Sequence, residues 1–273
     1  MDVDSPISTD TPTDGVHTRS KTQNGRVRDF KDASIQGSPD TIGNGGFAKV
    51  TVVTMKNPDG SLVDVARKQT SMLEPRELFD HEVSILSKLK HKNIVRLLGV
   101  DTTMRYMFLE LCDQGDLLKI AGKTSWRRTR SIAFELASGI SYLHRNLVAH
   151  LDIKVENVLL KLSPTTGCKH VKICDFNSSK KTTPEGVAEI DIFTPEGTAP
   201  EYSSLRIVTG KCFPHDVWGF GITIFKLFTG VYPWSLASSG NQDYRKWKHL
   251  GHNSVLYKDM NRKCPAFACK SIN

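Results

Sequence analysis

The stretch His150-Leu151-Asp152-Ile153-Lys154-Val155-Glu156-Asn157 decides the fold, together with Asp175-Phe176-Asn177 further along the chain. The first segment holds a carboxylate that could accept a hydroxyl proton, a lysine two residues on and an amide five residues on. The second begins with an aspartate at the end of a short apolar strand, where a carboxylate suits Mg²⁺. Either fragment alone could arise by chance. Their order and spacing together predict a single catalytic site.

Two motifs nearer the N-terminus extend this pattern. Gly43-Asn44-Gly45-Gly46-Phe47-Ala48-Lys49-Val50 is rich in glycine, which lets a backbone approach phosphates and present its N–H groups to them. Val65-Ala66-Arg67-Lys68 ends an apolar strand on a lysine that could bind an anion, and Glu82 lies on the amphipathic segment that follows. Each motif also has an ordinary explanation, a surface turn or a solvated lysine. Because exposed ion pairs contribute little to stability, a Lys68–Glu82 pair is better explained as positioning.

Hydrophobic spacing predicts the fold class, which is α+β. The expected elements are strands 49–54 and 62–68, a helix over 78–89, strands 94–100 and 106–111, a helix over 132–143, strands 158–162 and 171–174, and a helix over 217–228. Strands with one helix come first, and helices dominate afterwards. This order predicts a small β-rich lobe followed by a larger helical lobe.

Composition narrows the class of protein. The chain has 273 residues and a net charge of +8, and its basic residues are scattered rather than gathered into a nucleic-acid-binding run. The six cysteines form no CxxC pair and fit a reducing compartment. The longest apolar stretch, 217–228, is too short to span a membrane.

Residues 1–35 are polar, and we expect them to form a disordered tail. We also expect an intracellular protein, cytoplasmic with the nucleus as an alternative. It should be monomeric and should bind neither nucleic acid nor membranes.

Together the motifs resemble the eukaryotic protein kinase family, and the resemblance runs from Ile42 to Trp234. It implies a bilobal kinase domain over residues 36–273, with an N-lobe at about 36–110 and a C-lobe at about 113–273. It also implies ATP and Mg²⁺ as cofactors, and a protein substrate that offers a serine or threonine.

The resemblance assigns roles residue by residue. Asp152 would be the catalytic base, Lys154 would approach the γ-phosphate, and Lys68, held by Glu82, would bind the α- and β-phosphates. The implied metal ligands are Asn157 and Asp175. The implied nucleotide-binding residues are Ile42, Gly43, Asn44, Gly45, Gly46, Phe47, Val50, Ala66, Lys68, Leu109, Glu110, Cys112, Asp116 and Leu159. The residues expected to anchor the catalytic loop and align the lobes are Asp216, Leu86, His150 and Phe176.

Two details indicate the subgroup. Lys154 and Thr194-Pro195-Glu196 resemble the serine/threonine kinases, since tyrosine kinases differ at both places. Leu151 stands where most members carry an arginine, which makes the chain resemble the non-RD type. Pro233-Trp234, with Asp243-Tyr244 and Trp247, also loosely resembles the SH3-binding-domain kinases.

Several departures from the family pattern leave alternatives open. Ala48 and Asn177 replace glycines, and Leu151 replaces the arginine that normally pairs with a phosphate on the activation loop. Only 39 residues follow Trp234, so the C-lobe is expected to be shortened. An active serine/threonine kinase is the leading hypothesis, and a pseudokinase that acts as scaffold or allosteric partner is the alternative. A small-molecule or lipid phosphotransferase is disfavoured by Thr194-Pro195-Glu196 and by Ala199-Pro200-Glu201, which closes the activation segment. The resemblance implies that both build a peptide-docking platform.

Overall fold

The computed structural model describes residues 28–29, 35–44, 48–56, 59–191, 194–203 and 207–250. Its largest sheet lies in the N-terminal part and has six strands, in the order β1-β5-β6-β4-β3-β2. These strands are β1 (Arg28–Asp29), β2 (Ile35–Asn44), β3 (Ala48–Lys56), β4 (Leu62–Thr70), β5 (Leu97–Asp101) and β6 (Tyr106–Glu110). Neighbours run antiparallel, except that β1 pairs in parallel with β5.

The period-two alternation of β3 and β4 gives this sheet two buried faces. Val53 and Val65 pack on one face in a small apolar cluster. Val50 and Ala66 face the opposite way, toward the main core of the molecule. Lys68 follows Ala66 by two residues, so it emerges from the same face as Ala66.

One helix accompanies the sheet, α1 (Arg76–Leu86), between β4 and β5. Its buried residues are Phe79, Glu82, Ile85 and Leu86, which the helical repeat gathers on one face. The predicted helix over 78–89 begins two residues too late and ends three too late. Leu89 misled the prediction because it is buried in the core beyond the end of the helix.

Helices dominate the C-terminal part. The helices are α2 (Trp126–Arg145), α3 (Cys212–Thr229) and α4 (Gln242–Leu250). Three short antiparallel pairs lie around them: β7 (Val148–Ala149) with β10 (Lys180–Lys181), β8 (Val158–Leu162) with β9 (Lys169–Ile173), and β11 (Val187–Asp191) with β12 (Ile207–Lys211). The expected α+β fold, with a β-rich N-lobe holding one helix and a helical C-lobe, is therefore confirmed.

The two lobes share a hydrogen-bonded junction at the end of β9. The N–H of Val95 donates to the carbonyl of Ile173 at 2.9 Å, and the N–H of Ile173 donates to the carbonyl of Asn93 at 2.9 Å. The main core is continuous across this junction, from Phe79 of the N-lobe to Leu136 of the C-lobe. The end of β9 is thus fixed by both lobes just before the Asp175-Phe176-Asn177 segment.

The predicted limits between the tail, the N-lobe and the C-lobe stay predictions. Arg28–Asp29 and the first residue of β2 lie within the segment predicted to be a disordered tail, and the boundary at residue 35 stays a prediction. Residues 251–273 also lie outside the described ranges. None of the helices that the structure describes is long and apolar enough to cross a membrane.

Candidate active site

Lys68 joins the two lobes through an ion-pair network. Its ammonium Nζ donates to both carboxylate oxygens of Glu82 at 2.8 Å and to Oδ1 of Asp175 at 3.0 Å. Lys68 comes from β4, Glu82 from the buried face of α1, and Asp175 from the segment after β9. The N–H of Phe176 adds a bond to Glu82 at 3.2 Å. The predicted Lys68–Glu82 pair is therefore present, and it is buried rather than exposed.

Burial and charge act on this network in opposite directions. Burial alone would lower the pKa of Lys68, but the carboxylates of Glu82 and Asp175 outweigh it and raise the pKa above its ordinary value. Burial would raise the pKa of Asp175, but Lys68 holds it below its usual range. The ammonium and the Asp175 carboxylate are therefore both charged at neutral pH, as phosphate and metal binding require.

The catalytic loop forms a second network around Asp152. Its Oδ1 accepts a hydrogen bond from the hydroxyl of Thr194 at 2.6 Å, and its Oδ2 accepts one from the amide of Asn157 at 2.8 Å. The Lys154 ammonium lies 2.8 Å from Oδ2 and donates to the Thr194 hydroxyl at 3.1 Å. A cation, an amide and a hydroxyl therefore all lie within hydrogen-bonding distance of the Asp152 carboxylate.

Asp216 of α3 binds the backbone of the catalytic loop, residues 150–157. Its carboxylate accepts the N–H of His150 at 2.9 Å and the N–H of Leu151 at 2.7 Å, and the ring of His144 lies 2.8 Å away. Leu151 has a left-handed backbone, with φ at 64°, which a branched side chain rarely adopts. The two bonds to a buried carboxylate compensate for this unfavourable conformation.

The segment after β9 adopts its turn without help from a glycine. Asp175, not Asn177, carries the positive φ of 63°. Asn177 is absent from the described residues with a left-handed backbone, so its replacement of glycine introduces no strain of that kind. Phe176 is fully buried and meets the His150 ring edge-on at 4.9 Å.

The residues predicted to bind adenine lie in both lobes. Ala66 and Leu109 are buried cross-strand neighbours on β4 and β6, and Val50 packs against the same core. From the C-lobe, Leu159 forms a β-bridge with Asp116. An adenine pocket between these residues stays a prediction.

The other predicted nucleotide-binding residues lie in less regular surroundings. Gly43 and Asn44 end β2, and Ile42 is 55% exposed. Burial raises the pKa of the Cys112 thiol to about 12, so it remains neutral. The predicted phosphate-loop residues outside the described ranges are Gly45, Gly46 and Phe47.

The oxygen donors in the site fit Mg²⁺. In the part of the chain that the structure describes, no group of three or more His, Cys, Asp or Glu side chains could hold a metal ion by itself. Magnesium, however, is usually bound by one or two carboxylates together with substrate phosphates. Asp175 is 39% exposed, with only Oδ1 bonded to Lys68, and Asn157 donates through its amide nitrogen, which leaves an oxygen. These two residues would hold the ion.

Some contacts of the site could not be predicted from the sequence. Thr194 is predicted as a subgroup marker and as part of a peptide-docking platform, yet it also bonds directly to Asp152. His81 of α1 lies 2.6 Å from the carbonyl of Ser179, which links the helix to the activation segment. The carboxylate of Glu110, predicted only as part of the adenine-binding segment, binds two lysines of the C-lobe. Each partner is far away in sequence, so no local pattern reveals the pair.

A two-lobed α+β fold, with one of these networks joining the lobes and the other around Asp152 in the C-lobe, defines a protein kinase. The chain belongs to that family, because the family described as "Protein kinase domain" matches residues 38–268. Its curated relatives make it a eukaryotic serine/threonine protein kinase family member.

Three relatives show the extent of the similarity. Serine/threonine-protein kinase chk-1 of Caenorhabditis elegans is 31% identical over 76% of this chain and 42% of its own length. Serine/threonine-protein kinase SRK2F of Arabidopsis thaliana is 32% identical over 70% of this chain and 54% of its own length. Serine/threonine-protein kinase 33 of Bos taurus is 30% identical over 72% and 42%. The chain thus spans about half the length of these relatives.

Proposed function

We propose that this protein is an active kinase that transfers the γ-phosphate of ATP to a serine or threonine of a protein substrate. One observation supports this above others: the Lys68–Glu82–Asp175 network and the Asp152–Lys154–Thr194 network are assembled at the same time. Phosphoryl transfer depends mainly on positioning and on neutralising charge, and both networks serve those ends.

Each residue of the two networks would have a separate role in phosphoryl transfer. Asp152 would accept the proton of the substrate hydroxyl, and Lys154, 2.8 Å from it, would bind the γ-phosphate beside that hydroxyl. Lys68 would neutralise the α- and β-phosphates while Glu82 keeps it in place. Mg²⁺, when bound by Asp175 and Asn157, would neutralise phosphate charge during transfer.

The pseudokinase alternative rests on Leu151, Asn177 and the shortened C-lobe expected from the sequence, and the geometry weakens the first two arguments. Asn177 needs no left-handed backbone. Leu151 keeps its backbone bond to Asp216, so the loop that carries Asp152 is held without an arginine. Both departures therefore leave the catalytic groups in contact.

Exchange of Asp152 for asparagine tests the proposal. Asp152→Asn preserves shape but removes the proton acceptor, and we expect incorporation of phosphate from Mg-ATP into a Ser/Thr peptide library to fall by about 10²–10⁴-fold. Asp243→Asn, the same exchange at an exposed position of α4, is the matched control and should keep full activity.

Two outcomes would contradict the proposal. Equal labelling by wild type and Asp152→Asn would assign the activity to a contaminant. ATP binding in a thermal-shift titration without any turnover above a Lys68→Met control would make the protein a pseudokinase.

A further inference from the structure

The carboxylate of Glu110 lies in a three-way clamp between the lobes. Its Oε2 accepts a hydrogen bond from the Lys161 ammonium at 2.7 Å, and its Oε1 accepts one from the Lys172 ammonium at 2.6 Å. The N–H of Arg96 adds a third bond to Oε1 at 2.9 Å. Glu110 is only 8% exposed, so these bonds are largely shielded from water.

The clamp joins the end of an N-lobe strand to two strands of the C-lobe. Glu110 is the last residue of β6, the point at which the chain leaves the N-lobe sheet. Lys161 and Lys172 belong to β8 and β9 of the C-lobe, on the hairpin that follows the catalytic loop and leads into Asp175. The clamp therefore ties the exit of the N-lobe to the strand that presents Asp175.

The energetics indicate a role in geometry rather than in overall stability. Burial would raise the pKa of Glu110, but the two lysines hold it below its usual range, so the carboxylate is charged at neutral pH. A buried ion pair returns little net stability, because desolvation offsets its attraction, yet removing one partner leaves an uncompensated charge. Such pairs are strongly directional, and here they fix the relative placement of two segments.

We propose that Glu110 is a positioning residue, which through Lys161 and Lys172 fixes the angle between the lobes and so keeps the nucleotide-binding segment over the catalytic groups. This inference rests on the proposed function only for its effect on ATP. The clamp itself can be measured without nucleotide.

Amide hydrogen exchange in the nucleotide-free protein tests the clamp directly. We expect Glu110→Gln and Lys172→Met each to speed exchange over residues 111–116 by about tenfold, since each removes a charge-assisted hydrogen bond. The double variant should exchange no faster than the faster single variant, because both changes break one unit. Lys172→Arg keeps the cation and should restore slow exchange.

Lys169→Met is the matched control, because Lys169 is an exposed lysine on the same strand. It should leave exchange over residues 111–116 unchanged. The proposal is overturned if Glu110→Gln exchanges there like Lys169→Met, if the two single effects add, or if exchange rises equally throughout α2.

The effect on ATP is a separate readout. Glu110→Gln should weaken binding of Mg-ATP by about tenfold and raise KM for ATP more than it lowers kcat. A fall in kcat with unchanged KM and affinity would overturn the link to nucleotide positioning. If the wild type itself binds no ATP, the proposed function fails, whereas hydrogen exchange still decides the clamp.

Discussion

Leu151 lies in apolar packing at a position where the family pattern has an arginine. Its side chain is only 6% exposed and packs in a cluster with Ile190 of β11, Ala199 and Tyr202. The catalytic loop therefore meets the segment 187–202 through hydrophobic contact.

Truncation of the Leu151 side chain should therefore lower the stability of the fold. We expect Leu151→Ala to lower the free energy of unfolding by about 2–5 kcal/mol, because a buried leucine leaves a cavity. Urea denaturation measures the change. Leu147→Ala is the matched control: Leu147 also has a positive φ, 56°, but is 38% exposed. A loss at Leu151 no larger than the loss at Leu147 would contradict the packing role of Leu151.

Residues with a strong local pattern were predicted from sequence, and residues that act through distant partners were not. Asp152 and Asn157 lie five positions apart on one loop, so their spacing alone indicated a shared site. Lys161 and Lys172 are ordinary strand lysines in sequence, and only folding brings Glu110, 51 and 62 positions away, to them. The roles assigned to individual residues remain predictions that the variants above test.

At the scale of elements, the approach of α2 to β9 depends on Gly139. A methyl group at this position would lie 2.7 Å from the side chain of Ile173 and 3.2 Å from the carbonyl of Asn93. Those two residues form the junction between the lobes. Gly139 therefore allows the helix to support the strand that leads to Asp175.

Two glycine-to-alanine exchanges should have opposite effects. Gly139→Ala should lower the free energy of unfolding by about 1–3 kcal/mol, because it overpacks the contact with β9. Gly221→Ala, on α3, should raise it by about 0.5–1 kcal/mol, since a methyl group there meets open space and alanine favours a helix. Thermal unfolding of both variants measures the difference. A stabilising Gly139→Ala would refute the close approach.

The boundaries of the helices and strands were predicted less accurately than their presence. The helix predicted over 132–143 spans Trp126–Arg145, because a polar first turn capped by Ser125 carries no hydrophobic repeat. The pair β11–β12 was not predicted, since its strands are short and meet across an intervening segment. The helix predicted over 217–228 ends one residue later, at Thr229, but begins five residues earlier, at Cys212, because the polar His215 and Asp216 interrupt its apolar sequence.

At the scale of the whole molecule, the buried His215 and the half-buried His91 link stability to pH. Burial lowers the pKa of His215 and of His91 below the ordinary value of 6.5. The unfolded chain therefore binds protons at these sites at a higher pH than the folded protein does. The stability that the neutral histidines contribute is therefore present above about pH 6.5. That contribution is lost as the pH falls below this value.

Replacement of His215 should make stability less sensitive to acid. We expect the free energy of unfolding of the wild type to fall between pH 7 and pH 5, and His215→Gln to show a smaller fall. Urea denaturation across this range measures both slopes. His249→Gln, at an exposed position of α4, should follow the wild type. Identical slopes in all three proteins would exclude His215 as the source.

The hydrogen bond between Leu151 and Asp216 also has a consequence for folding during synthesis of the chain. The strained residue and the carboxylate that holds it are 65 positions apart. A ribosome builds the chain from its N-terminus, so the catalytic loop is synthesised well before its acceptor on α3 exists. Until that helix has been made, the loop lacks the partner that compensates its left-handed backbone.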